Sequence, residues 1–596
     1  MLRTISLFFA LLLVSASAAR GDDGTIPAWR TFGGGPSAYA FALDPAQARG
    51  GAPSLKIAAL TPTDQEFGAS SWSTDAGPYR GKHVRLAGEV KTAAAGSASL
   101  WLRVDGSATG GFDNMTAQIG RGDRALHGDH GWTPLQIEMD IPGDAKTLVF
   151  GDLIIGGGTM WSTYPKLAIL GAARPLPDAA AEKLAGALAP AQRPAVEAAL
   201  RRDAVVLRTL DPEAPLDDLA AFDRDVANAR IVGLGEASHG TAEFFRMKHR
   251  LFRDLVERHG VTVFAFEANL PEAREMERYV TTGDGDPAHA LHSLYFWTWQ
   301  TDEVLALAKW MRAYNAAPGK HSTLHFAGFD AQTQTVAVAS VQRFAAARSA
   351  KVGEAVKSRY ACLPESYAAL GRMKAAELRS CTADVAAVAG LIAPLHPDAD
   401  VARDARVVEQ FASISMNPDS NQRGYAERDG AMAENVAWLA ETRYPGAKIA
   451  LWAHNGHIGS QTSGTALGVT MGEHLRQHFG PAYVRVGFAF DRGAITAYGG
   501  NGLGAKNVVA APPGTLESVL NEVGPRLYLS LRTLPGGDPL TAWLDGGTLS
   551  REPGALYDER NQNAYFASSK ERDRFDALIF VAESHASALL AGARGN

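Results

Sequence analysis

Short runs in which apolar and polar residues alternate fill the first part of the chain. Between Thr25 and Leu170 these runs include KHVRLAGEVKT, ASLWLRVDG, PLQIEMDIP and TLVFGDLIIGGG, with turn residues between them. Alternation with a period of two is typical of strands that bury one face, and frequent turns are typical of antiparallel sheets. We therefore predict an all-β sandwich over residues 22–170.

The last run of this region, GGGTMWSTYPKLAIL, resembles the closing strands of jelly-roll modules that are often attached to carbohydrate-active enzymes. The predicted sandwich is accordingly jelly-roll-like, and a carbohydrate is a candidate partner for it. Exposed tryptophans could stack on sugar rings, although packing in the core or at a sheet edge is the better interpretation for most of them. The tryptophans concerned are Trp72, Trp101, Trp132 and Trp161.

The pattern changes after residue 170. Residues 171–202 are rich in alanine and proline, which predicts a linker and an opening helix. From residue 203 to 596, apolar runs such as ARIVGLGE, VTVFAFEA, STLHFAGFD and AKIALWAH alternate with amphipathic helices such as TAEFFRMKHRLFRDLVERHG. Buried strands that alternate with helices favour an α/β domain whose largely parallel sheet is flanked by helices. The chain is thus predicted to be multidomain.

The 596 residues are 46% apolar and 20% charged, with a formal net charge of -6. These values are typical of a soluble globular protein, and no basic excess favours a nucleic-acid partner. One arginine, the apolar run Ile5–Val14 and small residues up to Ala19 predict a signal peptide over residues 1–19. Because that run is too short to span a membrane, we expect a periplasmic or secreted protein without a membrane span. Cys362 and Cys381 would form one disulfide there or remain two buried thiols, and both interpretations stay open.

Several ionisable side chains come directly after predicted strands of the α/β region. Ligands bind beyond the carboxyl ends of the strands in open α/β sheets, so we expect these side chains to meet at one edge. A single carboxylate there is often only a helix cap, but caps have no reason to bring acids and histidines from four strands together. The residues are Glu236 and His239 after the first strand, Glu267 after the next, Asp330 after the third, and His454 and His457 after the fourth.

The stretch GLGEASHG, from Gly233 to Gly240, places a carboxylate, a hydroxyl and an imidazole close together. It is not a nucleophile elbow, because G-x-S-x-G needs a glycine two residues before the serine, and Glu236 stands two residues before Ser238. If the protein is a hydrolase, its chemistry therefore falls to His239 and Glu236.

Five motifs follow one another from about Asp203 onwards. They are GLGEASHGTAEFFRMKHRLFRDLVERHGVTVFAFEAN, FWTWQTDEVLALAKWMRAYN, FAGFD, RDGAMAENVAWL and LWAHNGHI. Together, and in this order, they resemble the erythromycin esterase family, including its succinoglycan biosynthesis members. The resemblance implies a carboxylic ester hydrolase that cleaves a small-molecule ester or lactone, a macrolide in some members. The N-terminal region lies outside it.

The resemblance also implies that His239 is the general base that removes a proton from water. An imidazole titrates near neutral pH, and a carboxylate partner raises its basicity and fixes its tautomer. A second histidine or Arg428 would stabilise the oxyanion that forms on the attacked carbonyl. The predicted catalytic set is His239, Glu236, Glu267, His454 and His457, and the predicted substrate-binding residues are Arg428, Asp330 and Trp299.

Two alternatives accompany this hypothesis. Three histidines and three carboxylates also suit Zn²⁺ or Mn²⁺, and a metal would activate water in place of a bare histidine. H-x-x-H is not a strong metal spacing, so we expect catalysis without a cofactor. The other alternative is a cell-envelope protein that processes polysaccharide or binds glycan in the same cleft, but the intact catalytic set favours an enzyme.

Overall fold

A computed structural model describes residues 18–593 except 20–28, 34–37, 61–66, 106–110, 116–122, 144, 174–183, 185, 320–321, 366, 371–372, 374, 417–422, 462–467, 500–501 and 560. The chain divides into two compact units, Met1–Glu182 and Lys183–Asn596. Ala18 and Ala19 form a short strand that pairs with Arg30 and Trp29. The rest of the predicted signal peptide lies outside the described residues, so the signal peptide stays a prediction.

The first unit consists of strands, and every strand pair described in it is antiparallel, as the alternating runs predict. Inward-facing residues such as Leu55, Val84, Leu86 and Ile137 form its core. The strands are β1 (Ala18–Ala19), β2 (Trp29–Gly33), β3 (Tyr39–Arg49), β4 (Ala52–Ala59), β5 (Phe67–Asp75), β6 (Lys82–Asp105), β7 (Gly111–Asp113), β8 (Leu126–Asp140), β9 (Thr147–Ile155), β10 (Thr159–Ser162) and β11 (Lys166–Ala172).

Strand β6 is 24 residues long and belongs to both faces of this unit. Its first half pairs with β8, β10 and β11, and its second half pairs with β7 and β9. Because one strand runs through both faces, the eleven strands form one continuous sheet that nearly closes into a barrel. The prediction of an antiparallel all-β unit is confirmed, whereas a sandwich of two separate sheets is not.

The second unit alternates strands and helices. Its strands are β12 (Val205–Val206), β13 (Ile231–Leu234), β14 (Val261–Asn269), β15 (His325–Asp330), β16 (Lys448–Trp452), β17 (Tyr483–Gly499), β18 (Gly502–Val508), β19 (Arg526–Ser530), β20 (Thr548–Arg551), β21 (Phe566–Ser569) and β22 (Ala577–Ser584). Its helices are α1 (Arg193–Asp203), α2 (Ala220–Val226), α3 (Ala242–His259), α4 (Arg274–Thr282), α5 (Pro287–His292), α6 (Asp302–Ala316), α7 (Thr335–Arg348), α8 (Ala350–Tyr360), α9 (Tyr367–Leu370), α10 (Ala375–Ile392), α11 (Ala399–Met416), α12 (Arg423–Trp438), α13 (Asn455–Ile458), α14 (Met471–Phe479), α15 (Leu516–Asn521), α16 (Pro539–Gly546) and α17 (Glu571–Arg574).

The main sheet of this unit is mixed. Its strand order is β12-β19-β22-β17-β13-β16-β14-β15, and β18 pairs with β17. Strands β13 to β17 and β22 pair in parallel, but β19 runs antiparallel to both its neighbours and β18 returns from β17 as a hairpin. The α/β class is confirmed, whereas a largely parallel sheet is not. The parallel centre matters for function, because it brings the carboxyl ends of β13, β14, β15 and β16 to one edge.

Helix α3 packs its apolar face against this sheet. Phe244, Met247, Leu251 and Leu255 are buried at helical spacing. The helix ends at Gly260, whose left-handed φ of 69° suits glycine. Its first turn follows directly on the GLGEASHG loop, so burial of α3 also anchors that loop.

Helices α7, α8, α10 and α11 surround a separate apolar cluster that includes Val341, Val388 and Phe411. A disulfide joins Cys362 to Cys381, so the disulfide is the correct one of the two predicted states. The segment Ala376–Leu395 has the length and the mean hydropathy, 1.4, of a membrane span. Core helices of soluble proteins also meet these criteria, and Val388 of this segment packs inside the cluster.

Candidate active site

The predicted polar residues do meet at the carboxyl edge of the parallel strands. Glu236 and His239 follow β13, Glu267 lies in β14, Asp330 ends β15, and His454 and His457 follow β16. Helix α12 adds Arg428 and Asp429 to the same cluster. The chain thus assembles one site from five segments, and we call this cluster the rim.

The loop between β13 and α3 is held by close backbone packing. A Cβ on Gly240 would lie 1.9 Å from the carbonyl oxygen of Thr496, and a Cβ on Gly235 would lie 2.2 Å from Oδ1 of Asn455. Both positions therefore require glycine. Ser238 is fully buried, and its hydroxyl lies 3.0 Å from the Thr241 hydroxyl and accepts from the backbone N–H of Gly240. It is a turn residue, as its sequence context suggests.

Glu236 and His239 form a directed pair. Nδ1 of His239 lies 2.7 Å from Oε1 of Glu236, so the imidazole donates its Nδ1 proton to the carboxylate. The side chain of Glu236 is fully buried and that of His239 is 15% exposed. Nε2 of His239 makes no hydrogen bond with any described residue, and it is the nitrogen left with an available lone pair.

The second oxygen of Glu236 is held by two residues that motif analysis did not single out. Oε2 accepts from Nζ of Lys248 at 2.5 Å and from Nε1 of Trp452 at 2.7 Å. The ammonium also lies 4.4 Å from the Trp452 ring centre. Burial raises the pKa of Glu236, but Lys248 and His239 outweigh burial and lower it overall. Burial lowers the pKa of Lys248 to about 8, even though Glu236 opposes this shift.

Lys248 has a signal in the sequence. It lies four residues after Phe244 and four before Phe252, both of which are buried on the face of α3 that packs on the sheet. A lysine on an apolar helix face needs an anion partner inside the protein. Glu236, at the end of the preceding strand, is that partner.

Arg428 links the acids of two neighbouring strands. Its Nη2 donates to Oε1 of Glu267 at 2.6 Å and to Oδ2 of Asp330 at 2.7 Å, and its Nε donates to Oδ1 of Asp330 at 3.1 Å. Burial lowers the pKa of Arg428, but the two carboxylates raise it well above its ordinary value. Burial raises the pKa of Glu267, but His457 and Arg428 bring it well below its ordinary value. Arg428 and Glu267 are therefore charged across the neutral pH range.

His457 lies between two carboxylates. Its Nδ1 forms a short hydrogen bond with Asp429, and its Nε2 lies 3.3 Å from Oε1 of Glu267. Burial lowers the pKa of His457, but Asp429 and Glu267 raise it to about 10. Nη1 of Arg428 approaches the same Nε2 to 3.1 Å, a contact that would be a hydrogen bond only to a neutral ring. Because two carboxylates outweigh one guanidinium, the imidazolium is the favoured form.

His454 is the opposite case. Its Nδ1 accepts from the backbone N–H of Gly456 at 3.1 Å, and its Nε2 donates to the carbonyl of Ala237 at 3.2 Å. Burial and the nearby His239 lower the pKa of His454 to about 4, so the ring is neutral. Its ring centre lies 5.0 Å from that of His239. Both nitrogens are already used, so His454 holds the His239 loop and is not available as a base.

Trp299 lies below the rim. It is 1% exposed and packs edge-on against Phe266 and Trp452. Its contact with the site therefore passes through Trp452, the residue that donates to Glu236.

The hydrogen bonds of the rim histidines bear on the alternative hypothesis that the site binds a metal ion. Nδ1 of His239 and both nitrogens of His454 and His457 already face protein partners. In the described part of the chain, three donor residues approach within 4.8 Å of one another at Asp223, Asp254 and His259, at the far end of α3. Arg258 already pairs with both of these aspartates.

The sequence model of the erythromycin esterase family matches residues 256–584, more than half of the chain. The chain belongs to the erythromycin esterase family. The match covers β14, β15, β16 and α12, and so includes Glu267, Asp330, Arg428, His454 and His457. Membership of this family supports hydrolase activity.

Individual relatives are distant. The predicted hydrolase YbfO of Bacillus subtilis is 25% identical over 342 residues, which are 51% of this chain and 74% of YbfO. The erythromycin esterase type II of Escherichia coli is 24% identical over 323 residues, which are 49% of this chain and 74% of that protein.

Solved structures support the fold of the second unit. A Bacillus cereus protein superposes with a TM-score of 0.61 and 25% identity, covering 67% of this chain and 99% of its own. The erythromycin esterase EreC in its open conformation superposes with a TM-score of 0.52 and 19% identity, covering 65% of this chain and 99% of its own. At this identity, the likeness to EreC concerns the fold alone.

Proposed function

We propose that this protein is a carboxylic ester hydrolase that cleaves an ester or lactone by direct attack of water, with His239 as the general base. The observation that carries the proposal is the His239 ring, whose Nδ1 donates to Glu236 while Nε2 is left without a described partner. Nε2 can accept a proton from water as the water oxygen bonds to the substrate carbonyl carbon. The same proton can then pass to the leaving alcohol.

The charges of the rim, together with the ammonium of Lys248, favour this proton transfer. Four carboxylates face three cations, which leaves one net negative charge before reaction. An imidazolium that forms on His239 would bring the cluster to neutrality, so the fixed carboxylates stabilise the charge that develops on the ring. The carboxylates are Glu236, Glu267, Asp330 and Asp429, and the cations are Lys248, Arg428 and His457.

The cations also suit the transition state. An oxyanion forms on the carbonyl oxygen as water attacks, and fixed positive charge stabilises it without reorganisation. Arg428 and His457 are both held in place by carboxylates, and both side chains are 12% exposed, so they keep some contact with solvent. No acyl-enzyme is needed, which agrees with the buried, hydrogen-bonded hydroxyl of Ser238.

We assign the substrate to small-molecule esters and lactones, macrolides among them, as the family membership suggests. Catalysis proceeds without a metal, because five of the six histidine nitrogens at the rim already face protein partners. The enzyme acts outside the cytoplasm, as the sequence of residues 1–19 suggests.

The test is a substrate panel with the purified mature protein. Wild type and His239→Ala would be assayed on erythromycin, aryl esters and acylated oligosaccharides, with and without a chelator. We expect at least one ester to be cleaved, the rate to survive chelation, and His239→Ala to abolish it. His289→Ala is the matched control, because that imidazole is 70% exposed and, among the described residues, its ring pairs only with Glu275 at 3.7 Å.

Each result has a definite meaning. Turnover of erythromycin would establish a macrolide lactone as substrate. Turnover of only acylated oligosaccharides would indicate that the physiological substrate belongs to the cell envelope. Full activity of His239→Ala would refute the role of His239. Loss of wild-type activity on chelation would refute catalysis without a metal.

A further inference from the structure

An aromatic residue between two lysines stands out on the outer face of the first unit. Trp161 lies in β10, directly opposite Lys56 of β4 on one side and Lys91 of β6 on the other. Each ammonium lies 5.5 Å from the centre of the Trp161 ring. The neighbouring residues of β10, Met160 and Ser162, are buried, so alternation along the strand turns Trp161 outward.

The protein neutralises the two lysines only in part, because the Asp44 carboxylate attracts Lys56 electrostatically. Neither forms an ion pair with a described residue, and Lys91 donates to the neutral amide oxygen of Gln47 at 2.8 Å. The carboxylate nearest to the indole, that of Asp44, accepts from Nε1 of Trp161 at 2.8 Å, which fixes the ring. The two ammonium groups thus form a candidate anion-binding site beside the Trp161 indole, whose orientation is fixed.

A second tryptophan extends the same surface. Trp132 of β8 is half-buried, and the guanidinium of Arg49 lies 5.9 Å from its ring centre. Arg49 is held by Glu89 through two hydrogen bonds of 3.0 and 2.8 Å. Trp72 and Trp101, in contrast, are 5% and 4% exposed and belong to the interior. Trp132 and Trp161 therefore remain accessible to a ligand.

We propose that this surface, formed by Arg49, Lys56, Lys91, Trp132 and Trp161, binds an acidic oligosaccharide whose sugar rings carry carboxylates. The C–H face of a sugar ring would lie on the Trp161 indole, which offers an apolar surface with a polar edge. Its carboxylate would pair with the ammonium of Lys56 or Lys91 at the margin of the ring. The whole chain carries a net charge of -6, so a polyanion is repelled unless such a local site receives it.

The experiment uses the full-length protein in native affinity electrophoresis, with polygalacturonate in the gel as the acidic probe and arabinoxylan as the neutral probe. We expect polygalacturonate to retard the wild type and arabinoxylan to leave it unretarded. Lys56→Gln/Lys91→Gln should weaken retardation about 10-fold or more, since a lost ion pair of about 1.4 kcal/mol or more is a factor of ten or more. Trp161→Ala, checked for folding by its thermal unfolding curve, should weaken it similarly.

The charge-matched control is Lys82→Gln/Lys146→Gln, which removes two exposed lysines of the same unit that do not face Trp161. This control should bind polygalacturonate like the wild type. The proposal is overturned if polygalacturonate does not retard the wild type, if the control loses as much binding as Lys56→Gln/Lys91→Gln, or if arabinoxylan retards the protein equally. Binding is measured without turnover, so these outcomes do not depend on the proposed hydrolysis.

Discussion

His239 and His457 make the same kind of hydrogen bond at Nδ1, but their Nε2 atoms have different surroundings. Each ring donates from Nδ1 to one carboxylate, Glu236 in the first case and Asp429 in the second. The Nε2 of His239 has no hydrogen-bond partner among the described residues, whereas the Nε2 of His457 faces Glu267 at 3.3 Å. A carboxylate at each nitrogen turns the His457 imidazole into a fixed cation. Neighbours on the far side of the ring therefore decide which histidine keeps a nitrogen that could serve in the proposed acid–base chemistry.

The largest expected effect is on the His239 ring. His239→Ala should lower kcat/KM about 1,000-fold, within the range that general-base catalysis contributes. Added imidazole should restore part of the rate in this variant, because it can occupy the vacated space and accept the proton. Rates measured against imidazole concentration test this. If imidazole instead rescued His457→Ala, the two assignments would have to be exchanged.

Removal of the charge of Glu236 is expected to be the next largest effect. Glu236→Gln keeps the size of the side chain but cannot stabilise an imidazolium, so kcat/KM should fall about 100-fold. It also leaves Lys248 buried without an anion partner, which should destabilise the fold. The double variant Glu236→Gln/Lys248→Met should regain stability without activity. Recovery of activity in the double variant would contradict the role of the Glu236 charge.

His457→Gln should change how the free energy of unfolding depends on pH. The pKa of His457 is about 10 in the fold, above the ordinary value of 6.5. The folded state then holds one more proton, so this stabilisation is complete below about pH 6.5 and is lost as pH rises to about 10, at about 1.4 kcal/mol per pH unit. Urea unfolding across this range should show that the wild type loses its stability advantage over the variant as pH rises. Lys248, whose pKa of about 8 acts in the opposite direction above pH 8, is common to both proteins. Parallel curves would show that His457 is not an imidazolium.

The smallest effect concerns the indole groups. Trp452→Phe removes the hydrogen bond to Oε2 of Glu236, but Lys248 still holds that oxygen, so kcat/KM should fall by about 10-fold at most. Trp299→Phe, which alters an indole one layer deeper, is the control and should change the rate less than about 2-fold. An equal loss in both variants would indicate disturbed packing and not a specific contact with Glu236.

The sequence predicts the members of the site better than their states. Glu236, Glu267, Asp330 and His454 are predictable because parallel strands end at one edge. The neutral form of His454 is not predictable, since it depends on a carbonyl and an N–H supplied by Ala237 and Gly456. Their positions follow only from the folded loop.

The fold, like the site, is predictable from the sequence only in part. Alternation predicts the strands of the first unit, but no local pattern reveals that β6 continues through both faces. In the second unit, a strand such as β19 has the same apolar pattern whether its neighbours run parallel or antiparallel to it. Strand direction depends on chain connections and not on side-chain periodicity.

The bond between Cys362 and Cys381 makes the stability of the folded protein depend on the redox state of its surroundings. It closes a segment with a sequence separation of 19, and such a closure is worth about 3 kcal/mol. Chains made in a reducing cytosol would lack that cross-link and would carry two thiols in the helical layer. Formation of this disulfide would then be a late step of folding. The thermal stability of a preparation would therefore show whether its chains had folded in an oxidising or a reducing compartment.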